Sequence, residues 1–365
     1  MRLRIATGLV ALAGLLALAL CGVVQQAKAE SGAIALKRGV SIHEWLNWSP
    51  VTPSGVYQWP PYRPLEAWGG VQDFERIKAM GFDFVRLSVD PGPLLASDQD
   101  HLAQALALLK NDIGTVTATG LKVVLDLHPV SQVKSWSAAA IEVSPLVADR
   151  YRNVVAATAA MLEDAGTDRV ALELMNEPQF YPCDGDGGRD WEAMVRGLVR
   201  AAREAAPTLT LVVTGACGGN VTGLVQLDPA RLNDDKLLYS FHFYEPLPFT
   251  HEGKSTWSAD MIAARFDQVR AWAKENGVPP SRLFLGEFGV TAAGKDHSSV
   301  PDKDRFAWLD AVRRAGEGLG AAWCYWEYSN PYGMSLTTFD RSRRPDPVAL
   351  AALNLNNPPV DSVGN

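Results

Sequence analysis

Eight short apolar runs recur along the chain: ALKRGVSI (35–42), FDFVRLSV (82–89), LKVVLDLH (121–128), RVALELMNE (169–177), LTLVVTG (209–215), KLLYSFHFY (236–244), RLFLGEFGV (282–290) and AAWCYWEY (321–328). Each has the length and the β-branched and aromatic content of a strand buried on both faces. Between most of them apolar residues recur at helical period, as in VQDFERIKAM (71–80), DHLAQALALLKNDIGTVTATG (100–120), MVRGLVRAAREAA (194–206) and DRFAWLDAVRRAGEG (304–318). Gly81 and Gly120 follow the first two of these in the C-cap position, each just ahead of a strand. The fifth helix, expected near 223–234, has the weakest pattern, and the proline-rich stretch 51–64 reads as a long loop after the first strand. Strand and helix alternating eight times over about 320 residues predict an α/β fold, a single-domain (β/α)8 TIM barrel over 30–365. A doubly wound open sheet is the competing architecture.

Composition adds compartment and excludes partners. With 365 residues, 47% hydrophobic and 21% charged, the chain buries a large core and is not disordered. Arg2 and Arg4, the apolar run Leu9 to Leu20, and Ala27-Lys28-Ala29 have the layout of a secretory signal peptide over 1–29, so the mature chain starts near Glu30. Cys21 raises a lipoprotein alternative, which the bulky Leu20 before it disfavours. Removing the three basic residues Arg2, Arg4 and Lys28, with no acidic ones, takes the formal charge from −7 to −10. So acidic a chain lacks the basic surface that nucleic acid requires. No later apolar run approaches the ~20 residues of a membrane span, and the protein is expected to be secreted or periplasmic. There Cys183 and Cys217, each just beyond a strand, are expected to form a disulfide, whereas Cys324 within a strand is expected to be a buried free thiol.

The strand ends carry the candidate chemistry. In a barrel the C-terminal ends of the strands form the site, and here they present Arg86, His128, Asn176, Glu177, His242, Tyr244, Glu287 and Trp326 in place of further Val and Leu. Any one alone has a packing explanation; eight at matching ends are hard to dismiss together. Asp126 and Glu173 lie deeper and read as buried partners of arginine or backbone. Two carboxylates across a barrel mouth, among hydrogen-bonding groups and aromatics, are the equipment of glycoside hydrolysis, one protonating the leaving oxygen and the other attacking or activating water. On that reading ALELMNEPQF (171–180) is a buried strand that ends on a carboxylate because Glu177 faces the scissile bond, while Asn176 bonds a sugar hydroxyl and Pro178 turns the chain away.

The blocks RGVSIHEWL, GFDFVRLSV, VVLDLH, LELMNEP, SFHFYEP, LFLGEFG and WCYWEY resemble the strand blocks of glycoside hydrolase family 5, the cellulase family of retaining (β/α)8 enzymes, from about Arg38 to Trp326. The resemblance implies Glu177 as acid/base, Glu287 as nucleophile, and Arg86, His128, Asn176, His242, Tyr244 and Trp326 in support. From placement, Arg86 is expected to keep Glu287 ionised, while Glu177, lacking a cation and partly desolvated, stays protonated. Tyr244 is expected to donate to the nucleophile, and His128 and His242 to orient carboxylates or hydroxyls. Trp326 offers a flat face to a pyranose, and Trp45, Trp48, Trp59, Trp136, Phe249 and Trp257 are read as loop aromatics on which further sugar rings stack. The loops 43–48, 51–64 and 246–257 match no subfamily of assigned substrate.

No cofactor and no metal are expected, because there is no H-x-H pair and neither acid sits beside a histidine at ligand spacing. The expected partner is a polysaccharide or oligosaccharide, and the expected state a monomer. The favoured activity is an endo-β-1,4-glucanase; β-mannan and β-1,3 or mixed-linkage glucan are the alternatives within the family. A carbohydrate-binding barrel without catalysis is the alternative of another class, which the retention of both glutamates disfavours.

Overall fold

The computed structural model describes residues 33–130, 132–292 and 300–358. The expected signal peptide, with Cys21 and the cleavage point, lies outside the described residues. Eight parallel strands close into a barrel: β1 (Arg38–Leu46), β2 (Phe84–Val89), β3 (Lys122–Leu127), β4 (Val170–Glu173), β5 (Thr210–Thr214), β6 (Leu237–Phe243), β7 (Leu283–Phe288) and β8 (Ala322–Tyr325). The open-sheet alternative is thereby removed, since β1 pairs with both β2 and β8. Long helices follow at Val71–Met80, Gln99–Ala118, Pro145–Glu163, Asp186–Ala205, Ala259–Glu275 and Asp302–Leu319. Gly81 closes the first in the left-handed conformation, φ 106°, which a side chain would strain. Where the weak fifth helix was expected there are two single turns, Val221–Leu224 and Pro229–Leu232, interrupted where Asp228 and Pro229 start the second.

Alternation along the strands divides the core into two. Outward residues such as Val85, Leu87, Val123, Leu125, Leu211, Val213 and Phe241 pack under the helices. Inward residues Phe84, Val124, Ala171, Val212, Leu238, Phe284 and Cys324, with Ile34 ahead of β1, form a separate apolar floor. The next inward layer changes character, to Ser41, Arg86, Asp126, Glu173, Thr214 and Ser240, all buried. In this upper layer Arg86 bonds Asp126 and Glu173, and Thr214 donates to Glu173. Cys324 belongs to the floor as a free thiol, 3.4 Å from Ser41 Oγ.

Cys183 and Cys217 are bonded, with Cα atoms 5.6 Å apart. The bond ties the segments after β4 and β5, beside the segment that carries Glu177, and closes a loop of 34 residues. Loop entropy gives such a link about 3–4 kcal/mol. Replacing both cysteines by serine is therefore expected to lower Tm by roughly 5 °C, read by differential scanning calorimetry; an unchanged Tm would show that the link does not constrain the unfolded chain.

Candidate active site

Arg86 stands in the second inward layer, fully buried, and its guanidinium binds groups from three strands. Nε and Nη2 donate to Glu173 at 2.6 and 3.0 Å, Nη1 donates to Glu287 Oε1 at 2.6 Å, and Nη2 also meets Asn176 Oδ1 at 2.8 Å and Asp126 Oδ2 at 3.1 Å. Asp126 accepts from Ser88 Oγ and from Nδ1 of His128 at 2.7 Å, which assigns the proton to Nδ1 and leaves Nε2 to accept from Asn176 Nδ2 at 3.2 Å. Asn176 is therefore oriented from both sides, and its amide nitrogen keeps one hydrogen for a ligand. Asp126 and Glu173 are the buried arginine partners that their depth implied.

Glu287 and Glu177 occupy unlike environments. Glu287 is 5% exposed along its side chain, and Tyr244 donates to its Oε2 at 2.8 Å. Burial pushes the Glu287 carboxyl up, but His242 and Arg86 outweigh it and hold its pKa below the usual 4.5. Glu177 is 36% exposed and sits where β4 pairing has ended: Asn176 N still bonds Leu127 O, and the next residue turns to φ 38°. That is left-handed backbone at a residue other than glycine, held because both flanks are tied. Its Oε1 lies 2.9 Å from Nδ1 of His242, which is 3.6 Å from Glu287 Oε2. Two expectations are corrected here. Glu177 does have a basic neighbour, the His242 imidazole, and an acid does sit beside a histidine in space; the fold, not sequence spacing, brings β4 and β6 residues together. Burial works against charging His242, but Glu287 and Glu177 outweigh it and raise its pKa. Gly286 makes the room, since a side chain there would begin 2.4 Å from Ser240 Oγ and 3.1 Å from His242 Nε2.

The mouth is a cleft of about 300 Å³ lined by His128, Asn176, Glu177, Tyr244, Glu287 and Trp326, together with Leu247, His251 and Met334, which sequence reasoning missed. A wider cleft of about 790 Å³ lies around Arg203, Asp234 and Arg282, at the opposite ends of β6 and β7. There Arg203 bonds Asp234, and Arg282 donates to Asp234 O and Leu237 O. Trp326 is half-buried, stacked on His128 (centroids 5.8 Å) and tilted against His43 (4.9 Å). His43 was also missed, since it falls inside β1, which runs on to Leu46 rather than stopping at Ile42.

That longer strand corrects Trp45. It is fully buried, stacked on Trp68 at 5.7 Å and bonded to Arg63 O, with no face left for a sugar. Phe249 is likewise buried, against Trp257 at 6.1 Å. Trp48 is half-buried, edge-on to His43 at 5.1 Å, so it borders the mouth. Trp136 lies under the Arg150 guanidinium at 5.5 Å, and Trp59 meets His101 at 4.6 Å.

A parallel barrel with two carboxylates and their hydrogen-bonding shell at the strands' C-terminal end is the architecture of a glycoside hydrolase. The family profile of cellulase, glycosyl hydrolase family 5, matches residues 50–331, and the chain belongs to that family. It is 28% identical over 166 residues to endoglucanase H of Acetivibrio thermocellus, covering 44% of this chain but only 17% of that protein. Cellodextrinase A of Ruminococcus flavefaciens is 28% identical over 262 residues, 66% of this chain and 73% of its own length. The crystal structure of the cellulose synthase subunit Z of Clostridioides difficile superposes with a TM-score of 0.65 at 24% identity, covering 87% of this chain and 99% of that one, a likeness of fold.

Two tests follow from this geometry. Trp45→Ala is expected to cost about 3–5 kcal/mol of stability in denaturant unfolding while the folded fraction keeps its turnover. Trp326→Ala is expected to do the reverse, cutting kcat/KM far more than stability; equal losses of stability in both would place Trp326 in the core. The second concerns pH. Because the folded state favours ionised Glu287, this carboxylate adds stability above pH 4.5 that is lost as pH falls through its lower folded value. Arg86→Lys keeps a charge but loses the fork, so the acid limb of kcat/KM is expected to move up by about one pH unit. An unmoved limb would mean that Arg86 does not set the ionisation of Glu287.

Proposed function

We propose that the chain is a secreted or periplasmic retaining endo-β-1,4-glucanase in which Glu287 is the nucleophile and Glu177 the acid/base. The observation that carries this reading is the closeness of the two acids: an oxygen of Glu177, an oxygen of Glu287 and a ring nitrogen of His242 all lie within 4.8 Å of one another. Such closeness fits the ~5–5.5 Å carboxyl separation of double displacement and not the ~6.5–9.5 Å that leaves room for an inverting water.

Glu287, kept ionised by Arg86 and His242, attacks the anomeric carbon as protonated Glu177 gives its proton to the departing oxygen. Water then enters, Glu177 takes its proton, and the glycosyl ester on Glu287 breaks. Tyr244 fixes the second oxygen of the nucleophile. Asn176 offers its remaining N–H to the sugar 2-hydroxyl, and Trp326, with Trp48 beyond His43, provides faces for the pyranoses. The names of the relatives, endoglucanase H, endoglucanase C and cellodextrinase A, support a β-1,4-glucan substrate. The signal-like leader and the Cys183–Cys217 bond together support export, since disulfides persist in oxidising compartments.

The purified mature protein is expected to release reducing ends from carboxymethylcellulose faster than from mannan, xyloglucan, laminarin or lichenan; a preference for another of these polymers would move the substrate assignment within the family. The two glutamates are separable by rescue. Glu287→Ala is expected to lose about four orders of magnitude or more in kcat. Azide should then restore part of the turnover of an activated aryl glycoside and yield the α-glycosyl azide. Glu177→Ala is expected to fail on polysaccharide yet still react with a substrate whose leaving group needs no proton, azide then giving the β-glycosyl azide. The opposite pairing of anomers would exchange the two roles.

A further inference from the structure

A second buried polar cluster lies beside the mouth, at the end of β1 and just after β8, and the proposed catalysis does not use it. It consists of His43, Glu44 and Glu327, the last joined directly to Trp326. Their side chains are 10%, 10% and 1% exposed. His43 Nδ1 is buried without a hydrogen bond, 3.4 Å from Glu44 Oε1 and 3.8 Å from Glu327 Oε1. Among the described residues no lysine or arginine pairs with either carboxylate. Two acids and one imidazole in a dry site are an unbalanced set, because buried carboxylates need paired charge.

We propose that His43, Glu44 and Glu327 bind a divalent first-row metal ion, with Zn²⁺ the best match. One imidazole nitrogen and two carboxylate oxygens suit zinc, which completes a tetrahedron with water, and do not suit Ca²⁺, which takes six or more oxygens. Bonds of about 2.0–2.2 Å place tetrahedral ligand atoms about 3.4 Å apart. The observed 3.4 and 3.8 Å are close to that, and all three atoms lie within 4.8 Å of one another.

The surroundings hold the ligands in place, as metal sites require. Glu327 Oε2 accepts from His43 N at 3.0 Å and Oε1 from Asn330 Nδ2 at 2.8 Å, while Glu44 Oε1 accepts from Trp48 Nε1 at 3.1 Å. Asn47 Nδ2 lies 2.7 Å from His43 Nε2, and Asn47 Oδ1 is buried without a partner. An imidazole bound through Nδ1 carries its proton on Nε2, and a half-turn of the Asn47 amide presents Oδ1 to that proton. One ion and one amide rotation thus satisfy both unpartnered atoms. The cluster of Glu177, His242 and Glu287 has similar spacing but already has a cation, the Arg86 guanidinium 2.6 Å from Glu287. Because the His43 ring rests against Trp326 and His128, the ion would steady the platform on which a sugar stacks.

The proposal rests on these three side chains and not on the proposed activity, so its test reads metal directly. Mature protein stripped with chelator is titrated with Zn²⁺ by calorimetry, and its bound metal is counted after dialysis. One equivalent is expected, with a rise in Tm of about 4 °C at a free ion concentration about 100 times Kd. Glu44→Gln and His43→Asn are expected to abolish uptake, and Glu177→Gln to leave it unchanged. With Co²⁺ on the unaltered protein, the intense visible bands of a four-coordinate N/O site are expected, which keeps the test independent of whether the variants fold. No one-to-one uptake would overturn the proposal and leave an imidazolium between the two acids. Uptake lost in Glu177→Gln but kept in Glu44→Gln would overturn it in favour of the catalytic cluster.

Discussion

The upper half of the barrel depends on the Arg86 guanidinium. It is the arginine of the inward layer, and its planar fork reaches Glu173, Asp126, Asn176 and Glu287 together, a geometry that a lysine ammonium cannot reproduce. Three buried carboxylates around one cation leave an excess of negative charge. The excess explains why the two histidines lie where they do, His128 against Asp126 and His242 between Glu177 and Glu287. Burial and the Asp126 charge push Glu173 up against the pull of Arg86, whereas Arg86 and His128 outweigh burial and hold Asp126 down. Replacing such a network with apolar residues would commonly stabilise a fold, so its presence points to function, not to stability.

That network is tolerable because of what lies beneath and around it. The apolar floor from Phe84 to Cys324 seals the barrel from below, and the outward residues of the same strands anchor the helices. A strand such as β2 carries all three duties through simple alternation: Phe84 in the floor, Arg86 in the network, Val85 and Leu87 under the helices. Stability and chemistry are therefore drawn from different residues of one strand. Loops at the rim then need only place Trp326, Leu247 and Met334 around an already ordered centre.

Strand identity and the strand-end residues were legible because period-2 runs with a polar residue at the end are a local signal. Arg86 is inward by that alternation, two residues past Phe84, whereas Glu287 lies three past inward Phe284 and is turned inward by the shift in register between Leu285 and Phe288, so its place beside Arg86 was legible from the strand end and not from period 2. What depended on tertiary placement was not. The contact of His242 with Glu177 joins residues 65 apart in sequence. Trp45 looked like a rim aromatic because β1 seemed to stop at Ile42; hydrogen bonding carries it to Leu46, past a shift in register between Ile42 and Leu46. Phe249 looked exposed because the stretch around it is rich in proline and polar residues, yet the turn Leu247–Glu252 folds it inward. His43 went unnoticed because β1 seemed to stop one residue before it, at Ile42.

Two glutamates of identical chemistry acquire different proposed duties from their surroundings alone. A nucleophile has to remain ionised through the approach of substrate, and Glu287 is enclosed by donors that favour its charge. An acid that becomes a base in the second step has to change its protonation twice in each cycle. Burial as deep as that of Glu287 would isolate it from solvent, and a fixed arginine would keep it charged throughout. Glu177 has neither: it projects past the end of β4 on left-handed backbone, one third exposed, with a histidine for its neighbour. The charge of a histidine, unlike that of an arginine, is not permanent, which suits a neighbour of the proposed acid. The strand that ends early and the strand that stays buried to its last residue are thus the local causes of the unlike surroundings on which the proposed roles of acid and nucleophile rest.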